Sequence, residues 1–129
     1  MAAVILLDTH VVAWLYDDPE RLVPPSVRRR LDDEPIGLSP FVRLELQSLY
    51  EVGRMSVPAQ VVVDELAPKL EMSLTDPPSA AVCERAATLG WTRDPFDRLI
   101  SAQALVDGSP LVTKDRTILE HLGLAWWQR

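Results

Sequence analysis

The chain opens with an uninterrupted apolar run, residues 2–7, that stops at Asp8. A run without polar alternation is typical of a strand buried on both faces of a parallel sheet. Each parallel strand needs a crossover connection, usually a helix, so this run predicts an α/β fold. It is far shorter than the roughly 20 residues that span a bilayer, and no basic stretch precedes it. We therefore expect neither a membrane segment nor a signal peptide.

The remaining sequence alternates short apolar segments with helical patterns. Further strands are predicted at residues 36–39, 71–74, 110–113 and 124–127. Helices are predicted at residues 11–16, 40–52, 58–70, 78–89, 95–106 and 116–122, the third being interrupted or ended near Pro68. Right-handed crossovers place helices on both faces of such a sheet. The expected architecture is a three-layer α/β/α sandwich with a mostly parallel sheet of four to five strands.

Length and cysteine content agree with that architecture. The 129 residues suit one domain, residues 1–129, and no repeat or linker divides them. Cys83 is the only cysteine, which excludes an intrachain disulfide or a thiolate zinc site. A single cysteine fits a reducing compartment, and the cytoplasm is the expected location. We expect Cys83 to be a small buried hydrophobe.

The charge balance restricts the class of function. Thirteen Lys and Arg residues against 19 Asp and Glu give a formal charge of −6, which opposes a protein that simply coats nucleic acid. An enzyme that holds divalent ions between its acidic residues and a phosphate is still compatible, because bound ions invert the local charge.

Two carboxylates follow predicted strands directly. Asp8 comes after the first strand and Asp115 after the strand at residues 110–113. In open α/β sheets, ligands bind in the crevice beyond the carboxyl ends of the strands. An Asp at this position is equally often the cap of the next helix, so both interpretations stay open.

Glu45 falls on the apolar side of its predicted helix, with Phe41 and Val42 and with Leu49 and Val52. A buried carboxylate normally has a metal ion or a cationic partner. The alternatives are therefore a metal site and an ion pair with Arg93 or Arg98.

The segment around Asp97 combines two signals. Asp94 suits an N-cap with Pro95 at the first helical position, and Asp97 at the third would also favour the helix dipole. We prefer capping for Asp94. For Asp97 we favour a functional role, because helical spacing puts the small residues Ser101 and Ala104 on its side and leaves room for an ion or a substrate.

An acidic cluster that offers only oxygen ligands suits hard cations such as Mg²⁺ or Mn²⁺. Such ions lower the pKa of a bound water and stabilise a leaving oxygen, which is the chemistry of phosphoryl-ester hydrolysis.

Four segments taken in order, residues 4–10, 39–46, 94–104 and 111–115, are distributed over most of the chain and resemble PIN-domain ribonucleases, specifically VapC-like toxins of type II toxin–antitoxin systems. The resemblance implies an acidic quartet around Mg²⁺ or Mn²⁺, formed by Asp8, Glu45, Asp97 and Asp115. Asp8 and Asp97 would be metal ligands, and the other two would complete the pocket or act through water. Thr9 and Thr113 would be hydroxyl neighbours, and Asp94 has an open role.

The same resemblance implies an RNA substrate, a homodimer and a small cognate antitoxin that occupies the active-site groove. The alternative from another class is a non-catalytic protein-binding module whose acidic residues only cap helices or pair with arginines. A haloacid-dehalogenase-like phosphatase would need a second Asp two positions after Asp8, where His10 stands. A phosphoacceptor receiver gives no reason for burying Glu45.

Several other residues have two interpretations. The run Arg28, Arg29 and Arg30 fits a solvated helix face better than an RNA contact. Trp14, with Leu15 and Tyr16, either packs internally or accepts an antitoxin helix. Trp126 and Trp127 cannot both point inward from one strand, which predicts one of them exposed at an interface. His10 is expected to be a packing residue.

Overall fold

In the computed structural model, which describes residues 4–128, five strands form one parallel sheet at the centre of the protein. The strands are β1 (Ile5–Leu7), β2 (Ile36–Leu38), β3 (Ser73–Leu74), β4 (Leu111–Val112) and β5 (Ala125–Trp126). Their order across the sheet is β3-β2-β1-β4-β5, and all four pairings are parallel. The predicted mostly parallel sheet of four to five strands is therefore confirmed, and the structure has five strands, all parallel.

Helices connect the strands. They are α1 (Thr9–Asp17), α2 (Pro19–Leu22), α3 (Pro25–Asp33), α4 (Pro40–Glu51), α5 (Ala59–Lys69), α6 (Ser79–Ala86), α7 (Pro95–Asp107) and α8 (Arg116–His121). Proline occupies the start of α2, α3, α4 and α7, where its missing N–H leaves no helical hydrogen bond unmade. Gly108 ends α7 at φ 66°, a left-handed conformation that glycine adopts without a steric penalty. No helix within residues 4–128 is long and apolar enough to cross a membrane.

The core lies on both sides of the sheet. Every residue of β1, β2 and β4 is buried, and successive residues of a strand point to opposite faces. Helices must therefore cover both faces, which confirms the three-layer sandwich. Val11 and Leu15 of α1 and Val62 and Leu66 of α5 belong to the main buried cluster.

The strand order creates a crevice at one edge of β1. From β1 the chain adds β2 and β3 on one side, and it later returns to add β4 and β5 on the other side. The carboxyl ends of β1 and β4 therefore flank the point where the direction of strand addition reverses, which is where α/β sheets bind ligands.

The segment between β1 and β2 holds two helices, α2 and α3, for which the sequence pattern predicted no element. In α3, Val27 and Leu31 are buried four residues apart, which is the spacing of one helix face. Pro68 lies inside α5, and the helix ends at the next residue, Lys69, as the prediction of an end near the proline requires. Residues 2 and 3 of the predicted first strand lie outside the described residues.

Three expectations about single residues are wrong. Cys83 is exposed rather than buried, because α6 turns Val82 and Ala86 towards the core and leaves Cys83 on the outer side. His10 is exposed at the start of α1, beside Trp14, at a ring-centroid distance of 6.2 Å. Val52 also departs from the predicted apolar side of α4, since it is 67% exposed just beyond the helix end.

The tryptophan pair near the carboxyl terminus also differs from its prediction. Neither ring is fully exposed: Trp126 lies under the Arg30 guanidinium at 4.6 Å, and Trp127 packs edge-on against Trp14 at 6.0 Å. Arg30 in addition pairs with Glu34 at 2.8 Å. The three-arginine run therefore includes a structural contact, in agreement with a helix-face role.

Candidate active site

Asp8 lies at the carboxyl end of β1, next to the end of β4. Its N–H donates to the Val112 carbonyl at 2.9 Å, which holds the two strand ends side by side. The carboxylate accepts hydrogen bonds from the Thr113 hydroxyl at 2.7 Å and from the Thr9 N–H at 2.8 Å, one on each oxygen. Asp8 is only 4% exposed. The protein thus fixes the orientation of both carboxylate oxygens in a mostly dry environment.

Glu45 reaches the same place from α4. The buried Thr9 hydroxyl donates a hydrogen bond to the Glu45 carboxylate, so one threonine links α1 to α4 through this contact. Among residues 4–128, no ion pair joins Glu45 to Arg93 or Arg98. Arg98 donates instead to the Thr92 carbonyl at 2.8 Å. The arginine-pair interpretation of Glu45 therefore finds no support in this structure.

Asp94 and Asp97 stand at the start of α7. Asp94 is the N-cap, and its carboxylate accepts from the Asp97 N–H at 3.0 Å, which confirms the capping prediction. The Asp97 side chain is half-buried and, within the described part of the chain, makes no hydrogen bond or ion pair. Its carboxylate is therefore not a helix cap.

Asp115 combines two roles at the end of β4. Its carboxylate caps α8 by accepting from the Ile118 N–H at 2.9 Å. Its own N–H donates to the Thr113 hydroxyl at 3.0 Å, the hydroxyl that in turn donates to Asp8. Asp115 is more exposed than Asp8 and lies beside it across this threonine.

Electrostatics show that these acids share one region. The pKa of Asp97 is raised from its usual 3.8 to about 7, first by burial and then by the charges of Asp94, Asp8, Asp115 and Glu45, in that order of size. The Asp97 carboxylate therefore interacts electrostatically with all four of the other acids that the sequence analysis singled out. The protonated, neutral form of the Asp97 carboxyl group is favoured because the site concentrates negative charge without a cation.

The pKa values of Asp8 and Glu45 are raised as well. Burial raises the pKa of Asp8, against the hydrogen bonds from Thr113 and Thr9, which lower it. Burial also raises the pKa of Glu45, with the Thr9 hydrogen bond again opposing and the charges of Asp8 and Asp94 adding to the increase. Both carboxylates are thus placed where their charged form is destabilised.

The donor set fits a hard divalent cation. It consists of carboxylate and hydroxyl oxygens, and no Lys or Arg forms an ion pair with these acids anywhere in residues 4–128. In the same residues, no three His, Cys, Asp or Glu side chains converge into a ready-made metal cage. Mg²⁺ usually keeps several waters and takes one or two carboxylates directly, so it does not require such a cage.

A cleft beside the acids contains residues that sequence reasoning did not assign to the site. Its volume is about 240 Å³, and it is lined by Asp8, His10, Trp14, Lys114 and Asp115. The Lys114 ammonium lies 5.7 Å from the centroid of the Trp14 ring. One feature of the sequence indicated that His10 and Lys114 belong to the site, namely that each lies next to a predicted site residue.

The chain has relatives of known family. The family model for the PIN domain matches residues 5–123. Ribonuclease VapC22 from Mycobacterium tuberculosis is 32% identical over 120 residues, which is 91% of each protein.

Solved structures agree in fold. One is VapBC2 from Rickettsia felis bound to a DNA fragment from their promoter, with a TM-score of 0.68 and 17% identity over 95% of each chain. Another is DNA-bound VapBC from Salmonella typhimurium, with a TM-score of 0.66 and 22% identity over 96% of each chain. At these identities the likeness is one of architecture.

Proposed function

Because the chain belongs to the PIN-domain family, as its motifs predicted, we propose that it is a metal-dependent endoribonuclease and the toxin of a type II toxin–antitoxin pair. The observation that carries this proposal is the convergence of Asp8, Glu45, Asp97 and Asp115 on one crevice without a cationic partner within the described residues. Similarity to Ribonuclease VapC22 supports RNA as the substrate class.

Asp8 and Asp97 would bind Mg²⁺ or Mn²⁺, with Glu45 and Asp115 completing the pocket directly or through water. An ion held there would lower the pKa of a water molecule and would neutralise charge on the scissile phosphate. Thr113 and Thr9 hold the two Asp8 oxygens in place, and Thr9 also holds Glu45. Preorganisation of this kind avoids a reorganisation cost during the reaction.

Helix capping alone is the competing explanation, in which the chain is a non-catalytic binding module. Asp8, Asp94 and Asp115 do cap α1, α7 and α8. Capping does not account for Glu45, which lies within α4, or for Asp97, whose carboxylate bonds to no backbone N–H in the described structure. These two acids are the reason for preferring the enzyme.

The proposal includes a small cognate antitoxin as partner. It is supported by the architecture shared with VapBC proteins. A groove of about 330 Å³ offers apolar side chains beside charged ones, a combination that suits an amphipathic helix. Its lining includes Leu15, Tyr16, Leu31, Leu66 and Leu70, with Arg28, Asp32 and Lys69. A homodimer and a cytoplasmic location complete the proposal. Light scattering of the purified chain, alone and co-expressed with the product of an adjoining small reading frame, tests both associations.

The decisive experiment is cleavage of defined tRNA and ribosomal RNA fragments with Mg²⁺, Mn²⁺ or chelator. Asp8→Asn and Asp97→Asn proteins are prepared identically, and Asp33→Asn, an exposed change on α3, is the matched control. We expect discrete metal-dependent cuts by the wild type and the control that both site variants lose. Equal cleavage by all four proteins would indicate a contaminant. If Mn²⁺ in addition leaves the wild-type melting temperature unchanged, the binding module is the better explanation.

A further inference from the structure

The cleft beside the acids, which we call the aromatic cleft, contains three side chains that the proposed chemistry leaves unused. Two of its lining residues, Asp8 and Asp115, belong to the acidic cluster, and the other three are His10, Trp14 and Lys114. Its volume of about 240 Å³ is below the roughly 300–1,000 Å³ of sites that enclose a whole small molecule. The cleft therefore suits one unit of a longer chain whose neighbouring unit reaches the acids.

The Trp14 ring is held from several sides. Trp127 packs edge-on against it at 6.0 Å and 66°, and the His10 ring lies at 6.2 Å and 44°. Trp14 is half-buried and packs against the main core. A ring fixed in this way is a platform that needs little ordering when a ligand stacks on it.

Lys114 supplies the lysine ammonium of the cleft wall. Its ammonium lies over the Trp14 ring at 5.7 Å, and it forms no ion pair in the described structure although two acids line the same cleft. An exposed cation–π contact is weaker than stacking of a nucleobase on an aromatic ring. Displacement of the Lys114 ammonium from the Trp14 ring by a nucleobase is thus favourable, particularly if the ammonium then binds a phosphate.

We propose that the aromatic cleft is a nucleotide subsite for single-stranded RNA, in which an unpaired base stacks on Trp14 while Lys114 binds the adjacent phosphate. This inference rests on the proposed nuclease function and adds two residues, Trp14 and Lys114, that position the RNA beside the acids. A base inside a duplex does not offer its face to Trp14, so the subsite selects unpaired nucleotides near the cut. Stacking is tolerant of base identity, so the preference is for strandedness rather than sequence.

Two arms test the subsite. The first measures, by fluorescence anisotropy in chelator, binding of a fluorescein-labelled 12-nucleotide single-stranded RNA and of the same RNA as a duplex. The second measures kcat and KM for cleavage of the unlabelled single strand with Mn²⁺. The variants are Trp14→Leu, Trp14→Phe and Lys114→Gln, and Lys69→Gln is the matched lysine control in the groove on another face. Thermal melting checks that each variant is folded.

For Trp14→Leu we expect single-strand affinity to fall about 5- to 150-fold, with recovery in Trp14→Phe. The KM should rise more than kcat falls. Lys114→Gln should reduce the slope of log affinity against log salt by about one unit. Duplex binding and the Lys69→Gln protein should not change.

Three outcomes overturn the inference. If the wild type cleaves with Mn²⁺ and all variants bind the single strand equally, the subsite is wrong and the nuclease stands; the cleft then serves another partner, such as a protein. If Trp14→Leu weakens single-strand and duplex binding alike, the selection for unpaired bases is wrong. If the wild type neither binds nor cleaves RNA, the proposed function and the subsite fail together. Loss of binding in the variants without any cleavage by the wild type would keep the subsite and reject the nuclease.

Discussion

Asp97 has a half-buried carboxylate that caps no helix and senses four other acids. In the absence of metal, this crowding destabilises the folded state. Asp97→Asn should therefore raise the melting temperature in chelator by roughly 3–6 °C, equivalent to about 1 to 1.5 kcal/mol once solvent screening of a half-buried group is allowed for. Differential scanning fluorimetry in chelator and over a Mn²⁺ series measures both the increase and the expected loss of stabilisation by Mn²⁺.

Asp33→Asn, which removes one exposed acid from the solvated side of α3, is the control for net charge. Its melting temperature should stay near that of the wild type, with a full Mn²⁺ response. If Asp97→Asn instead melts lower than the wild type and responds fully to Mn²⁺, Asp97 acts only by stabilising the start of α7.

The raised pKa of Asp97 also predicts a pH dependence. Its usual value is 3.8 and its value in the fold is about 7. A raised carboxyl pKa gives stability that is fully present below the unfolded value and is lost as pH rises through the folded value. In chelator, the wild type should therefore lose stability relative to Asp97→Asn between about pH 4 and 7, with no further divergence above that range. Urea unfolding of both proteins across this range gives the difference, and a constant difference at all pH values would contradict the assignment.

Thr113 links the two strand ends through its hydroxyl, which donates to Asp8 and accepts from the Asp115 N–H. Thr113→Val keeps the shape but leaves a buried carboxylate and an N–H without this partner. We expect a loss of about 1–3 kcal/mol in the free energy of unfolding and weaker cleavage. Thr113→Ser should recover both, and Thr117→Val, at an exposed position of α8, should cost little. Chemical denaturation and the cleavage assay measure the two effects.

The carboxylates of the candidate site were predictable because strand ends and helix faces can be inferred from hydrophobic pattern. Glu45 was predicted to point inward, and it lies against Thr9. The aromatic cleft was not predictable, because Trp14 meets Trp127 only through tertiary packing of α1 against the end of the chain. His10 was interpreted as a packing residue for the same reason: no local pattern shows which side of α1 is covered there.

At the scale of secondary-structure elements, the strand β2 contains Gly37, where neighbouring side chains leave no room for a larger residue. A Cβ added to Gly37 would lie 2.6 Å from methyl groups of Val4 and Thr75, on either side of the strand's middle. Gly37→Ala should lower the free energy of unfolding by about 1–3 kcal/mol, because overpacking in a buried sheet forces neighbours to shift. Gly90→Ala, where a Cβ would meet nothing within 4 Å, is the matched control. Equal denaturation midpoints for the two variants would show that β2 has room to adjust.

A helix with capping residues, proline or glycine at both ends was predicted well, and a helix without such signals at both ends was not. The start of α7 is marked by Asp94 and Pro95 and its end by Gly108, and the helix observed matches the one predicted within a residue. The helix α3 was not predicted although Val27 and Leu31 have helical spacing, because three consecutive arginines dominate its composition. Cys83 was misplaced since its burial depends on which face of α6 meets α7, and that is decided by packing.

At the scale of the whole molecule, topology accounts for the concentration of acids. The sheet order β3-β2-β1-β4-β5 brings the ends of β1 and β4 together, so residues more than 100 positions apart, Asp8 and Thr113, share a hydrogen bond. The starts of α1, α7 and α8 are occupied by Asp8, Asp94 and Asp115 as caps. The acids that cap these helices thus also raise the pKa of Asp97 through their negative charge.

The formal charge of −6 gives the last prediction. A chain of this charge repels RNA, so RNA affinity in chelator should be weak, and it should increase when Mn²⁺ fills the acidic crevice and reverses the charge there. Above pH 7, where Asp97 carries its charge despite its raised pKa, Asp97→Asn should bind RNA better than the wild type in chelator, because one repelling charge is gone, and it should gain less from Mn²⁺. Anisotropy titrations of both proteins at fixed monovalent salt, with Ca²⁺ as a second divalent ion, measure this crossover. An equal gain from Mn²⁺ in the two proteins would mean that the ions act on the RNA rather than at the crevice, and the acidic quartet would then not be the metal site.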